Sequence, residues 1–224
     1  MLRFQLLPEI IKNLLIINGL FFLATVVLGN VFGMDLNSLL GLYLPQSDFF
    51  QPFQLVTHMF MHGNLGHIFF NMFALWMFGY ALENIWGPKK FLTYYLLTGL
   101  GAFFLHELIN GIQIFQAAGT FWPSEGQLPY IDPSLWARPV LGASGAVFGL
   151  ILAFALIFPN ARLMLLFPPI PLKARTLAFI LAGIELIQIV RQADDNVAHF
   201  AHLGGMLFGY IILKYWQKRG NIFH

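Results

Sequence analysis

Cysteine is absent from the sequence, and charge is scarce. Without cysteine there are no disulfides, no thiol nucleophile and no thiolate-held metal. Asp, Glu, Lys and Arg make up only 10% of the chain, whereas soluble domains carry roughly 25%. That is too little charge to cover a water-facing surface. Paired aspartates in facing helices are also lacking, because Asp35, Asp48, Asp132, Asp194 and Asp195 all fall in outer loops. A zinc helix of the His-Glu-x-x-His type is missing too, since His106-Glu107-Leu108-Ile109-Asn110 has Asn at the second ligand position. No repeat, low-complexity tract or linker marks off a soluble domain.

Hydrophobic residues form 58% of the 224 residues, with a mean hydropathy of +0.71. A spanning helix needs about 20 mostly apolar residues. Six segments are candidates: Leu14–Phe32, Leu65–Trp86, Phe91–Ile109, Ala143–Phe158, Thr176–Val190 and Val197–Trp216. The fold class expected is an all-α membrane protein of six transmembrane helices, forming a single membrane domain over residues 1–224. The first segment follows Arg3 and Lys12 as a signal peptide would, but its apolar run is too long for a signal core. Prolines 159, 168, 169 and 171 should end the fourth helix and make an inner loop. The Asn110–Gly142 connection reads as ordered loop with short helices, and Arg191–Asn196 as a turn.

Lysine and arginine favour cytoplasmic loops. With the N-terminus inside, the inner segments hold Arg3, Lys12, Lys89, Lys90, Arg162, Lys173, Arg175, Lys214, Lys218 and Arg219, and the outer ones only Arg138 and Arg191. That asymmetry places both termini in the cytoplasm.

Polar groups within such segments are costly and are functional candidates. The second segment carries His67 and Asn71 on one face, the fourth opens with Gly142-Ala143-Ser144-Gly145, and the sixth carries His199 and His202. At 1.5 Å per residue, Ser144 lies about 22 Å above Pro159, Asn71 about 22 Å above Trp86, and His202 about 21 Å above Trp216. Three helices thus bring Ser, Asn and His to one depth, while His199 lies about 4.5 Å nearer the outer surface. A serine hydroxyl needs a base to become a nucleophile, and neutral imidazole suits that task. An oxyanion needs preorganised donors, which the Asn71 amide, a His67 N–H and the Ser144 backbone N–H can supply. No Asp or Glu reads as placed to orient the histidine, so a Ser–His dyad is expected. Gly145 and Gly149, with Ala201, Gly205 and Gly209, are spaced to let the fourth and sixth helices approach closely.

At these residues the sequence resembles the rhomboid family of intramembrane serine proteases. Gly142-Ala143-Ser144-Gly145 is similar to its GxSG motif, His67 with Asn71 to its HxxxN, and Ala201-His202-Leu203-Gly204-Gly205 to its AHxxG. His58, His62 and His67 match its spaced histidines, and Glu83, Gly87 and Tyr95 its helix 2–3 hairpin. The resemblance implies a rhomboid-like six-helix bundle that cleaves transmembrane protein substrates in the lipid bilayer. Ser144 would be the nucleophile and His202 the general base, with His67, Asn71 and the Ser144 N–H as the oxyanion hole. It implies no metal, no cofactor and no nucleic-acid partner, and a multi-pass placement in a bacterial cytoplasmic membrane. Two departures stand out: Phe53-Gln54 replace a frequent Trp-Arg, and Phe148 stands where some members have Tyr against the histidine.

Plainer readings exist for each residue. Ser144 can be a packing residue, and His199 is the rival base. His58 and His62 read as structural through loop hydrogen bonds, and Glu83 as a loop anchor. Glu185 reads as a neutral, hydrogen-bonded carboxyl, with gating as the alternative. For the whole chain, a catalytically inactive rhomboid-like protein that binds membrane clients is one alternative. A metal- or haem-binding membrane protein using the histidines is another.

Overall fold

The computed structural model describes residues 7–164, 169–191 and 197–220. Six helices of fourteen or more residues dominate it: α1 (Glu9–Phe32), α2 (Leu65–Trp86), α3 (Pro88–Ala118), α4 (Ser144–Ile157), α5 (Ala174–Val190) and α6 (His199–Lys218). Arg3, Pro168 and the 192–196 segment, with Asp194 and Asp195, lie outside the described residues.

Among the described residues, α1, α2 and α3 are long and apolar enough to cross a membrane. The other three expected spans fall short for different reasons. Helix α4 is apolar but has only 14 residues, and α5 has 17. Helix α6 has 20 residues, but His199, His202, Lys214 and Lys218 dilute its hydropathy. The shortness of α4 follows from where it sits. It packs against α2, α3, α5 and α6, and Gly145, Ala146, Val147, Gly149, Leu150, Ile151, Ala153, Phe154 and Ala155 are buried. A helix sheathed by protein does not need the apolar length that lipid contact demands.

Helix α3 runs nine residues past the expected Ile109. Asn110-Gly111 reads as a breaker in sequence, but Asn110 Nδ2 bonds His106 Nε2 one turn back at 3.0 Å. The helix ends instead at Gly119, whose φ of +72° gives a left-handed cap. Beyond α4, within the stretch expected as a loop, the chain forms a small antiparallel hairpin, β1 (Arg162–Met164) with β2 (Pro171–Lys173). Pro171 opens its strand, the position where a missing N–H is tolerated.

Glu83 was expected to anchor a loop, and it caps α1 instead. Its carboxylate oxygens accept from the Ile10 and Ile11 backbone N–H groups, each at 2.9 Å. These are two of the donors that a helix start leaves without partners, and the negative charge suits the positive end of the helix. Glu83 is only 3% exposed, so Glu83→Ala leaves the buried Ile11 donor and the partly buried Ile10 donor unpaired, at about 1–3 kcal/mol for the buried one. The thermal unfolding midpoint in detergent should fall clearly in Glu83→Ala. An unchanged midpoint would remove this cap from the stability of the fold.

Candidate active site

Ser144 is the first residue of α4. Its backbone N–H therefore has no acceptor within the helix and lies at the positive end of the helix dipole. The approach to it is made by Gly142, whose φ of +115° excludes a side chain on steric grounds. The Gly142 N–H donates to the His58 carbonyl at 2.8 Å. Two residues earlier, Val140 pairs with Leu42 through reciprocal backbone bonds of 2.7 and 3.0 Å. The connection before α2 and the one between α3 and α4 are thus stitched to each other just before α4 begins.

The connection between α1 and α2 is held by buried polar side chains. Gln54, in place of a frequent Arg, is 1% exposed. It donates to the Leu39 and Phe49 carbonyls at 3.2 and 3.1 Å and accepts from Gln51 N–H at 3.0 Å. A neutral amide thereby satisfies three backbone groups with no buried charge. His58 Nδ1 contacts the Gln54 carbonyl at 2.8 Å, and His62 Nδ1 the Phe60 carbonyl at 3.3 Å. Burial pushes the pKa of both imidazoles down to about 4, so both are neutral near pH 7 and act as loop ties.

Helix α6 brings His202 beside Ser144. Its Nε2 lies 2.8 Å from Ser144 Oγ, across 58 residues of sequence. The Phe148 ring stacks on the imidazole at 4.2 Å and 6°, so stacking persists without a tyrosine hydroxyl. The close approach depends on glycine. A Cβ on Gly205 would collide with the Gly145 carbonyl oxygen, and one on Gly149 would lie 3.1 Å from the Gly205 carbonyl oxygen. Tyr94 on α3, which the motifs did not single out, ties this crossing by donating to the Gly149 carbonyl at 2.9 Å. Its only sequence signal is a tyrosine within an apolar run.

His67 and Asn71 stand on α2. Gly63 N–H donates to His67 Nδ1 at 3.4 Å, which leaves the proton on Nε2. That Nε2 abuts Gly142, being 2.7 Å from where a Cβ of Gly142 would lie. Asn71 Nδ2 donates to the His67 carbonyl at 2.9 Å, and its second N–H remains available for another acceptor.

Contrary to the expected dyad without an acid, Glu185 of α5 has Oε1 3.0 Å from His202 Nδ1 and Oε2 2.6 Å from His199 Nδ1. His199, the rival base, also meets the Glu185 side chain. Sequence spacing gave the depth of each residue but not the lateral position of α5 against α6.

The fold and site define a multi-pass helical membrane protein with a serine–histidine pair at the mouth of its central helix. The rhomboid domain family model matches residues 50–219, and the chain belongs to the rhomboid family. It is 35% identical over 152 residues to RHOMBOID-like protein 12, mitochondrial, of Arabidopsis thaliana, covering 67% of this chain and 42% of that protein. It is 30% identical over 175 residues to Rhomboid protein 1, mitochondrial, of Saccharomyces cerevisiae, covering 74% and 43%. It is 24% identical over 161 residues to Rhomboid protease AarA of Providencia stuartii, covering 69% and 52%. The chain thus spans about half or less of the length of these relatives. Mitochondrial names prevail among the relatives, so they give a bacterial membrane no support over an organellar one.

Proposed function

We propose that the chain is an intramembrane serine endopeptidase that cleaves transmembrane segments of protein substrates, with Ser144 as nucleophile and His202 as general base. The observation that carries this reading is the 2.8 Å approach of His202 Nε2 to Ser144 Oγ at the start of α4. Membership of the rhomboid family and the similarity to a relative named as a protease support it. On this reading residues 1–224 form one membrane domain, six helices span the bilayer, and both termini face the cytoplasm. The lysine and arginine distribution supports that topology.

In the first step the Ser144 proton passes to His202 Nε2 as Oγ bonds the scissile carbonyl carbon. The resulting oxyanion takes hydrogen bonds from the Ser144 N–H, from His67 Nε2–H and from the free Asn71 N–H. His202 then gives its proton to the leaving amine as the C–N bond breaks. Water, deprotonated by the same imidazole, releases the acyl group from Ser144. Partial exposure of Ser144 and His67 supports access of water to this point.

The direct test is labelling of purified protein by a fluorophosphonate probe, comparing wild type with Ser144→Ala. Labelling that persists in Ser144→Ala would overturn the reading. For the oxyanion role, Asn71→Ala should lower kcat by ~10²–10³ while the probe still reacts, since removal of one donor has that typical cost. A wild-type kcat in Asn71→Ala would take the amide out of the oxyanion hole.

A further inference from the structure

Helix α5 exposes Phe179, Ile180, Ile184, Leu186, Ile187 and Val190, yet its one carboxyl is 7% exposed. Both oxygens of Glu185 meet histidines of α6, Oε2 at 2.6 Å from His199 Nδ1 and Oε1 at 3.0 Å from His202 Nδ1. The Oε1 contact is short, but the Nδ1–H does not point along it well enough to count as a hydrogen bond. His202 can receive the Ser144 proton at Nε2 only if its resting proton is on Nδ1, the side that faces Glu185. The other groups facing this imidazole are Ser144 and Phe148 of α4 and His199 of α6. His67 of α2 and His106 of α3 lie within electrostatic reach. Of these neighbours, Glu185 alone can supply negative charge.

We propose that Glu185 is the positioning carboxylate of this site. It holds His202 in the Nδ1-protonated tautomer and stabilises the imidazolium formed during attack, while His199 fixes the carboxylate by its other oxygen. The proposal rests on the Ser144 and His202 reading above. Glu185 takes up no proton in the step: the serine proton stays on Nε2 until the amine leaves. Serine, histidine and an acid in this relation recur on unrelated folds. The alternative occupant is a metal, because the ligand atoms of Glu185, His199 and His202 lie within 4.8 Å of one another. Zinc bonds of about 2.0–2.2 Å in tetrahedral geometry spread ligand atoms beyond about 3 Å. The separations of 2.6 and 3.0 Å are no longer than that, too close for atoms spread around one zinc ion.

The experiment compares full-length wild type, Glu185→Gln, Glu185→Asp and Ser144→Ala in detergent. Fluorophosphonate labelling rate and the kcat and KM for one membrane substrate are read for each. Glu185→Gln should slow both labelling and kcat by about 10- to 100-fold, less than the ~10⁴ lost when a well-aligned triad acid becomes an amide, and leave KM within about threefold. Glu185→Asp, which keeps the charge, should recover part of the loss in both. A wild-type labelling rate in Glu185→Gln, or a change in KM alone, would overturn the proposal and make the residue a structural or gating one. Stoichiometric zinc in purified wild type, lost in Glu185→Gln, would overturn it in favour of a metal site. Should Glu185→Gln not fold, infrared difference spectra of wild type before and after labelling decide. A carboxylate band perturbed by the probe supports the proposal, and a protonated carboxyl band in its place overturns it. Activity in Ser144→Ala would instead sink the underlying reading, so the two failures are distinguishable.

Discussion

Ser144→Ala and His202→Ala should each bring cleavage of a helical membrane substrate below detection while the protein stays folded. The two side chains share one proton in one step, so losing either removes that step. Effects of such a unit are far from additive, and Ser144→Ala/His202→Ala should be no worse than either single change. Folding should survive because neither side chain fills much of the apolar core, which lies deeper around Leu75, Leu82, Phe91, Tyr95 and Leu150. The companion variant is His199→Ala. His199 touches the carboxylate, whereas it is His202 that meets Ser144 Oγ, so about a tenth or more of wild-type activity should remain. The measurement is cleavage of one detergent-solubilised substrate by all variants, with circular dichroism as the folding control. Robust activity in Ser144→Ala, or a larger loss in His199→Ala than in His202→Ala, would move the chemistry elsewhere.

Much of this architecture is legible in sequence because apolar periodicity and glycine spacing are local signals. Hydropathy alone bounded α2 at Leu65 and Trp86, the limits found in the structure. The GxSG and AHxxG segments lie where α4 and α6 cross. What stayed hidden depends on lateral placement. Glu185 is a single carboxyl in an apolar helix, and nothing in its neighbours says which helix it faces. Gln54 could not be read as a loop tie because its acceptors, Leu39 and Phe49, come from a connection without periodicity. The extension of α3 to Ala118 was hidden by His106, Glu107 and Asn110, whose polarity mimics the end of a span. The hairpin β1–β2 was masked by a run of prolines, of which Pro171 stands harmlessly at a strand start.

Gly205→Ala should cost both stability and activity, although it adds one methyl group. The crossing of α4 and α6 is as close as backbone allows, and a Cβ on Gly205 would overlap the Gly145 carbonyl oxygen. That neighbour is backbone, on a helix buried on most sides, and cannot swing aside as a side chain would. The helices must separate, and overpacking of this kind costs about 1–3 kcal/mol or more. Separation acts directly on the chemistry, because Gly205 lies one turn below His202 and Gly145 adjoins Ser144. A displacement of about 1 Å at a reacting pair can cost ~10²-fold in rate. Gly205→Val, with two more methyl groups at the same contact, should be worse. The control is Gly183→Ala on α5, where an added Cβ meets nothing within 4 Å. There the helix gains about 0.8–1.0 kcal/mol of intrinsic propensity, and activity should be unchanged. Unfolding midpoints and kcat measured together for the three variants test the contact. A Gly205→Ala protein with wild-type midpoint and rate would show that α4 and α6 do not need this approach to hold Ser144 against His202.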